Sequence, residues 1–512
     1  MKEKKKRSSF TIKTKNHNLY LFDKNRKKTI LCHPILYFLA RLKEKGQSPQ
    51  DWLSQQSSEF VQVGEFGTFS KADISYYYKK LLILEENGYF IEIENEPPLT
   101  ATVSPEGIKT SLANLRQLTF EITDVCGLSC EYCGYGKFYN NYDSRDNNFM
   151  SINVGKKVIE YLYALMESSL NYSHSPVTYI GFYGGEPLLN FPFIKKMVSF
   201  INSQLWHHNR FRFAVTTNGI LLDKYMDYLA SHNFNILISL DGNEYNNSYR
   251  VYKNGSSSFH DVIKNVKTLR KKYPDYFKNN VNFNAVLHNR NSVDDVSLFF
   301  KTHFDKYPSI GALNTSGIKE DVLEEFWKTY ANIEESLYNC EDYSRIERDM
   351  FIKLPTIQRL SNFIHKENDF CFKDYNELLF KPGENKRFPT GTCFPFSKKM
   401  FVTVNGKIMA CERIGNHFTL GHVSEDKIVI EYQKIADQYN RWFDKMRSIC
   451  DCCYYLDQCS QCIFYFDLKG DTPKCKSLLT ERDFHQYLTP FLEYLENNRD
   501  MYPKIIREVI IE

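Results

Sequence analysis

Three cysteines within eight residues, Cys126, Cys130 and Cys133, come directly after residues 118–122, an apolar, β-branched run that reads as a strand. The thiols therefore belong to the loop leaving a strand end, where α/β folds put their chemistry. The chain then repeats this pattern. Residues 177–183, 211–215, 235–239 and 282–287 read as strands, with 309–313 a weaker sixth, and helical spacing lies between them. Repeated strand–helix units require a parallel sheet with right-handed crossovers. Several of these strands end in residues that would face one mouth: Gly184, Gly185, Glu186 and Pro187, then Thr217 and Asn218, then Ser239 and Asp241. Two glycines let a backbone approach a ligand, and a Glu carboxylate accepts from an amine. Three thiolates this close can wrap one iron–sulfur cluster, and a four-iron cubane held by three leaves one iron open. A zinc knuckle is the alternative for the same spacing.

Fourteen cysteines would be unusual as disulfides unless the chain is exported. Residues 1–7 are basic with no apolar stretch behind them, so no secretory signal is read and cytoplasmic residence is expected. Metal ligation is then the better use of the thiols. No run of 18 apolar residues exists, so no membrane partner is expected. A net charge of +4 gives no argument for nucleic acid. At 512 residues the chain has room for two to four domains.

The Cys-x3-Cys-x2-Cys spacing, with the aromatic Tyr132 before the last thiol and Gly184-Gly185-Glu186-Pro187 some fifty residues on, resembles the radical S-adenosylmethionine (SAM) enzymes. The resemblance implies α/β architecture, a partial (β/α)6 barrel over 115–315. In it a 4Fe–4S cluster on Cys126, Cys130 and Cys133 binds SAM, and Glu186 holds the methionyl amine. Asp241-Gly242 followed by Arg250, Gly255 and Phe259 resembles a further run of that family, with Arg250 suited to the SAM carboxylate. Tyr132, Gly184, Gly185, Pro187, Thr217, Asn218, Ser239 and Asp241 complete the implied cofactor contacts.

A second cysteine field begins at Cys393, with twelve residues between it and Gly406 and four between Gly406 and Cys411. Cys450-x2-Cys453-x5-Cys459-x2-Cys462 comes next, then Cys475. Seven cysteines in this order resemble the SPASM extension, here 386–480, which carries two auxiliary 4Fe–4S clusters. Carried over, Cys450, Cys453, Cys459 and Cys475 hold the outer cluster, and Cys393, Cys411 and Cys462 the inner one. The last gap is two residues where the family usually has three, and an inner ligand is missing unless Cys371 or substrate supplies it. Cys452 is unassigned, and Cys340 reads as a free thiol. Glu412, beside Cys411, is the candidate base.

Residues 18–95, with strand 19–22, helices 33–42 and 71–86 and a closing strand 89–93, read as a winged helix. This domain resembles the N-terminal peptide-recognition element of peptide-modifying radical SAM enzymes, where a leader peptide is captured by strand addition and a helix groove. A docking wing with no ligand is the bland alternative. Residues 1–17 read as a frayed basic tail, 96–114 as a linker, 316–385 as a helical bridge and 481–512 as amphipathic helices.

Together these resemblances imply a radical SAM/SPASM oxidoreductase. Reductive cleavage of SAM would yield a 5′-deoxyadenosyl radical, which abstracts hydrogen from a ribosomally made precursor peptide to close a thioether or carbon–carbon cross-link. The implied cofactors are SAM and three 4Fe–4S clusters. The implied partners are the precursor peptide and an electron donor such as flavodoxin or ferredoxin. Formylglycine formation, as in anaerobic sulfatase maturation, and a non-catalytic peptide-binding scaffold are the alternatives.

Overall fold

The computed structural model describes residues 7–90, 99–173, 176–367, 388–466, 473–475 and 477–509. The chain divides into two compact units, the first from 1–101, 352–392 and 442–512, the second from 102–351 and 393–441.

The first unit opens on an antiparallel sheet, β1 (Ser9–Lys13), β2 (Leu19–Asp23) and β3 (Lys28–Leu31), in that order. Residues 9–13 were expected to fray with the tail, and instead they form a strand. Phe10 and Ile12 are buried, and Phe10 packs edge-on against Phe484 of the helix Glu481–Asn497. The chain continues as α1 (Pro34–Glu44), α2 (Pro49–Ser54), the hairpin β4 (Phe60–Gln62) and β5 (Thr68–Ser70), and α3 (Lys71–Glu86). Local chemistry sets these boundaries. Pro34 starts α1 behind the capping His33, and Ser70 caps α3 by accepting from the Asp73 amide. Leu21, Ile35, Leu39, Val61, Ile74 and Leu81 close one core between sheet and helices. The expected wing strand at 89–93 is absent where it can be described. Tyr89 and Phe90 are not extended, because Phe90 has φ 58° beyond the helix-ending Gly88, and 91–93 lie outside the described residues. The expected independent domain 18–95 is also corrected. C-terminal segments pack with it, as when Glu496 accepts from Thr14, Asn16 and Tyr20.

In the second unit the expected linker 96–114 contains a helix, α4 (Pro105–Ala113). Ser104 and Pro105, read as punctuation, are its cap and first turn. The main sheet comes next, with β6 (Gln117–Thr123), β7 (Val177–Gly184), β8 (Arg210–Thr217), β9 (Asn235–Ser239), β10 (Val281–Leu287) and β11 (Ser309–Ala312) parallel and adjacent in sequence order. Between them run α5 (Ile152–Met166), α6 (Phe191–Ser203), α7 (Leu222–Ser231), α8 (Phe259–Lys272), α9 (Pro274–Asn280) and α10 (Val293–Phe304). Leu118, Phe120 and Ile122 of β6 are fully buried on one face, where Phe120 meets Phe193 of α6. Strand alternation sends Thr119, Glu121 and Thr123 to the other face.

The sheet does not end at β6. β12 (Met400–Val402) pairs with it in parallel, and β13 (Lys407–Met409), β14 (Gly421–Val423) and β15 (Ile428–Val429) extend it antiparallel. The expected single domain 386–480 is thus divided. Its first half lengthens the sheet of the second unit, and 442–475 belong to the first unit. Gly406 makes the β12–β13 turn at φ 76°, and a Cβ there would meet the Val423 carbonyl oxygen at 2.1 Å. The expected bridge 316–385 is divided too. Leu323–Thr329, Ile333–Tyr338 and Tyr343–Met350 are helices of the second unit, Pro355–Lys366 one of the first, and 368–387 lie outside the described residues. No helix among the described residues is long and apolar enough to cross a membrane.

Candidate cluster and cofactor site

The loop after β6 carries Cys126, Cys130 and Cys133 at the C-terminal end of the parallel strands. It is held as a short antiparallel pair, with the Ser129 amide donating to the Val251 carbonyl at 2.8 Å and a bridge between Leu128 and Tyr252. The sulfurs face donors. Cys126 Sγ accepts from the Leu128 amide at 3.4 Å and from the Asn218 side chain at 3.7 Å, and Cys133 Sγ from Arg145 Nη2 at 3.1 Å. Burial pushes all three thiols up, Cys130 to about 12, so thiolates here require compensating positive charge. N–H donors on two of the three neighbouring thiols suit an iron–sulfur cluster, whose sulfurs accept such bonds. Among the described residues no three His, Cys, Asp or Glu converge on a single metal ion. A cluster makes no such demand, because each thiolate takes its own iron.

Glu186 lies beside this loop. A Cβ on Gly184 would meet the Thr123 carbonyl oxygen at 2.1 Å, and Gly184 has φ 132°, so only glycine lets β7 end this close to β6. The Glu186 carboxylate is buried and takes the Leu188 amide, the Thr217 hydroxyl and the Asn218 amide at 2.8–3.0 Å. Burial pushes it up to about 7 against these three donors. Three acceptor positions are filled and one remains for a cation. Pro187 is buried at the start of the next turn, and Ser239 ends β9 half-buried.

Arg250 is already engaged. Its Nε and Nη2 grip both oxygens of Asp241 at 2.9 and 3.0 Å, and Asp241 also accepts from the Val286 amide at 2.8 Å and from the Tyr132 hydroxyl. His288 Nε2 lies 3.7 Å from the same carboxylate and its ring stacks on Tyr132. Burial alone would raise Asp241, but the guanidinium outweighs it and holds the carboxyl at about 2. Tyr132, Asp241 and Arg250 thus form one buried network behind the cysteine loop, and the fork expected to be open for a cofactor carboxylate is closed on Asp241. His288 escaped the sequence reading, although it directly follows β10 and strand-end polarity had selected its neighbours. Arg145 and Lys399 escaped because they belong to no strand end or spaced motif.

Glu412 follows Cys411 and pairs with Lys399 Nζ at 2.8 and 2.9 Å. Burial would raise its carboxyl, but the ammonium wins and holds it below the ordinary range. Cys411 Sγ is 3.6 Å from the same carboxylate and takes the Arg413 amide at 3.3 Å. Cys393 belongs to the same unit and is exposed. In the other unit, Cys450, Cys453, Cys459 and Cys475 are mutually close, since Cys450 and Cys459 each feel Cys453 and Cys475 electrostatically. Backbone amides of Thr390, and of Gly391 and Gln461, face Cys450 and Cys459 respectively. Cys462 is half-buried in that unit, and Cys371 lies outside the described residues.

Residues 120–301, within the second unit, match the family model of the radical SAM superfamily. Similar curated proteins include the uncharacterized protein MJ0907 of Methanocaldococcus jannaschii, 28% identical over 52% of this chain and 81% of its own length. The radical SAM cyclopropyl synthase TigE of Paramaledivibacter caminithermalis is 24% identical over 42% of this chain and 43% of its own. The cysteine-type anaerobic sulfatase-maturating enzyme of Clostridium novyi is 25% identical over 37% of this chain and 49% of its own. The chain thus spans less than half the length of the two named enzymes.

Proposed function

We propose that the chain is a radical SAM peptide-modifying enzyme that abstracts hydrogen from a ribosomally made peptide to close a thioether or carbon–carbon cross-link. The observation that carries this reading is the convergence of Cys126, Cys130 and Cys133 with Glu186, Thr217 and Asn218 at the C-terminal end of the parallel strands, within the segment that matches the radical SAM model. Bound there, a cluster and SAM would supply one-electron, hydrogen-abstracting chemistry. The chain's own residues do the rest. The three thiols would hold the cluster, and Glu186 would take the methionyl amine at its remaining acceptor position. Arg250 offers the cofactor carboxylate its outer N–H groups while Asp241 keeps the guanidinium in place. Cys450, Cys453, Cys459 and Cys475 would hold one auxiliary cluster, and Cys393 and Cys411 would contribute to a second. Glu412 accepts the substrate proton when Lys399 releases it.

The N-terminal sheet supports a peptide ligand. Among the described residues β3 pairs on one side only, and Leu31 on that strand and Tyr76 and Ile83 on α3 are large apolar side chains left 55–63% exposed. An extended leader could add a strand to β3 and bury Leu31. Formylglycine formation is a second reading, favoured by the sulfatase-maturating relatives.

Anaerobically reconstituted, dithionite-reduced protein mixed with SAM should release 5′-deoxyadenosine. The variant with Cys126, Cys130 and Cys133 all changed to Ala should release none, and its iron should fall by about four, one cubane's content. Reduced, iron-replete protein that leaves SAM intact would overturn the proposal. Loss of hydrogen from a peptide, against conversion of a sulfatase cysteine to an aldehyde, separates the two readings.

A further inference from the structure

Arg250 acts on Cys130 and Cys133 through its field, but among the described hydrogen bonds to the three thiols only one comes from a charged side chain. Arg145 Nη2 donates to Cys133 Sγ at 3.1 Å, and the guanidinium lies over the Tyr135 ring at 4.5 Å from its centroid. Its choice of partner is unusual. Glu121, buried on β6, takes the Val404 amide on one oxygen, but among the described residues its Oε1 has no partner, nor does Asp143 Oδ2 nearby. Both carboxylates, with Arg145 itself, belong to one electrostatic neighbourhood. Arg145 nonetheless spends its described side-chain bond on a thiol, and its own Nε is buried without a partner.

The loop is shaped to present it so. The buried Asp124 carboxylate accepts the Asp146 amide on one oxygen at 2.9 Å and the Asn148 amide on the other at 2.7 Å, and Asn147 between them turns at φ 60°. The Asp143 carboxylate is drawn to Lys407 Nζ at 2.7 Å. The segment is therefore pinned on either side of Arg145, and the residue's direction is fixed by backbone bonds.

We infer that Arg145 sets the reduction potential of the cluster on Cys126, Cys130 and Cys133, with Asp124 as its positioning residue; this rests on the radical SAM reading above. One electron from a low-potential one-electron donor enters the cluster, no bond forms or breaks, and the cluster gains one negative charge. A fixed cation bonded to one of its thiolates stabilises the reduced state more than the oxidised state. It therefore raises the potential toward what a biological donor can reach. A charge-assisted N–H···S bond does this better than the neutral amides on Cys126.

The test is an EPR-monitored potentiometric titration of the full, reconstituted chain. The SAM-cluster signal is identified as the one whose shape changes on adding SAM, and iron is quantified alongside. Arg145→Gln should retain its iron and show a clearly lower midpoint, while Arg145→Lys, which keeps the charge and loses the fork, should fall between it and the unaltered protein. Asp124→Asn loses an amide acceptor and also a negative charge, so it is read by coupling: Arg145→Gln should lower the midpoint less in the Asp124→Asn background than in the unaltered chain. A full iron load with an unmoved midpoint in Arg145→Gln would overturn the inference. So would loss of about four irons in both Arg145 variants, which would make the residue a structural prop. Absence of any SAM-responsive signal in the unaltered chain would instead take down the radical SAM reading itself.

Discussion

Changing Asp241 to Asn should destabilise the second unit by about 3–5 kcal/mol, the usual cost of removing one partner of a buried ion pair. Asp241 is fully buried and Arg250 nearly so, and the pair is bidentate. The Asn side chain would turn an N–H group toward the guanidinium and leave a buried cation unpaired. Proton linkage gives a second, smaller estimate. The carboxyl falls from 3.8 to about 2 on folding. At about 1.36 kcal/mol per unit this contributes about 2.5 kcal/mol. Because the folded value is the lower one, the contribution is full above about pH 4 and is lost as pH falls toward about 2. It is smaller because a protonated carboxyl keeps its shape and some of its bonds. The Val286 amide, which donates to Asp241, is a local reporter of opening. Its hydrogen exchange should quicken by about two to three and a half decades in Asp241→Asn. Arg250→Met added to that variant should recover part of the loss, because it removes the stranded charge. Exchange at Val286 within tenfold of the unaltered protein, or a double variant worse than the sum of the singles, would refute the argument.

Lys399→Met should let burial dominate at Glu412 and move its carboxyl from below to above the ordinary range. The rising limb of the pH–rate profile for product formation should then shift to higher pH while SAM cleavage persists, and an unshifted limb would retire Glu412 as base. The stabilising contribution of the Glu412–Lys399 pair in the unaltered protein is present above the unfolded Glu pKa and lost as pH falls through the lower folded value. Gly406→Ala should cost about 1–3 kcal/mol from its positive φ, more if the Val423 contact cannot relax, read as a lowered urea midpoint.

The core of the second unit was legible because its signals are local. A strand must alternate or run apolar, a helix must repeat at 3.6 residues, and both can be read in a window of ten or so. That is why the six parallel strands and the cysteine loop at the first strand's end fell where spacing put them. The misreadings share one cause. Residues 9–13 are too short and basic-flanked to announce a strand, and they become one because Phe10 finds Phe484 at the far end of the chain. Ser104 and Pro105 serve a linker or a helix cap equally well, and the packing of residues 106–113 decides between them, with Ile108 and Leu112 fully buried.

The sequence by itself determined which atoms are available: three thiols in eight residues, a carboxylate behind two glycines, an arginine after Asp241-Gly242. Tertiary structure decided what those atoms face. It closed Arg250 on Asp241, tied Glu412 to Lys399, aimed Arg145 at a sulfur, and gave the two halves of the second cysteine field to different units. The three side-chain pairings span only 9, 13 and 12 residues, yet no periodicity or spaced motif marks them. Burial, which makes each bond strong, exists only after the chain has folded, so no window of sequence contains the dielectric that sets these charges.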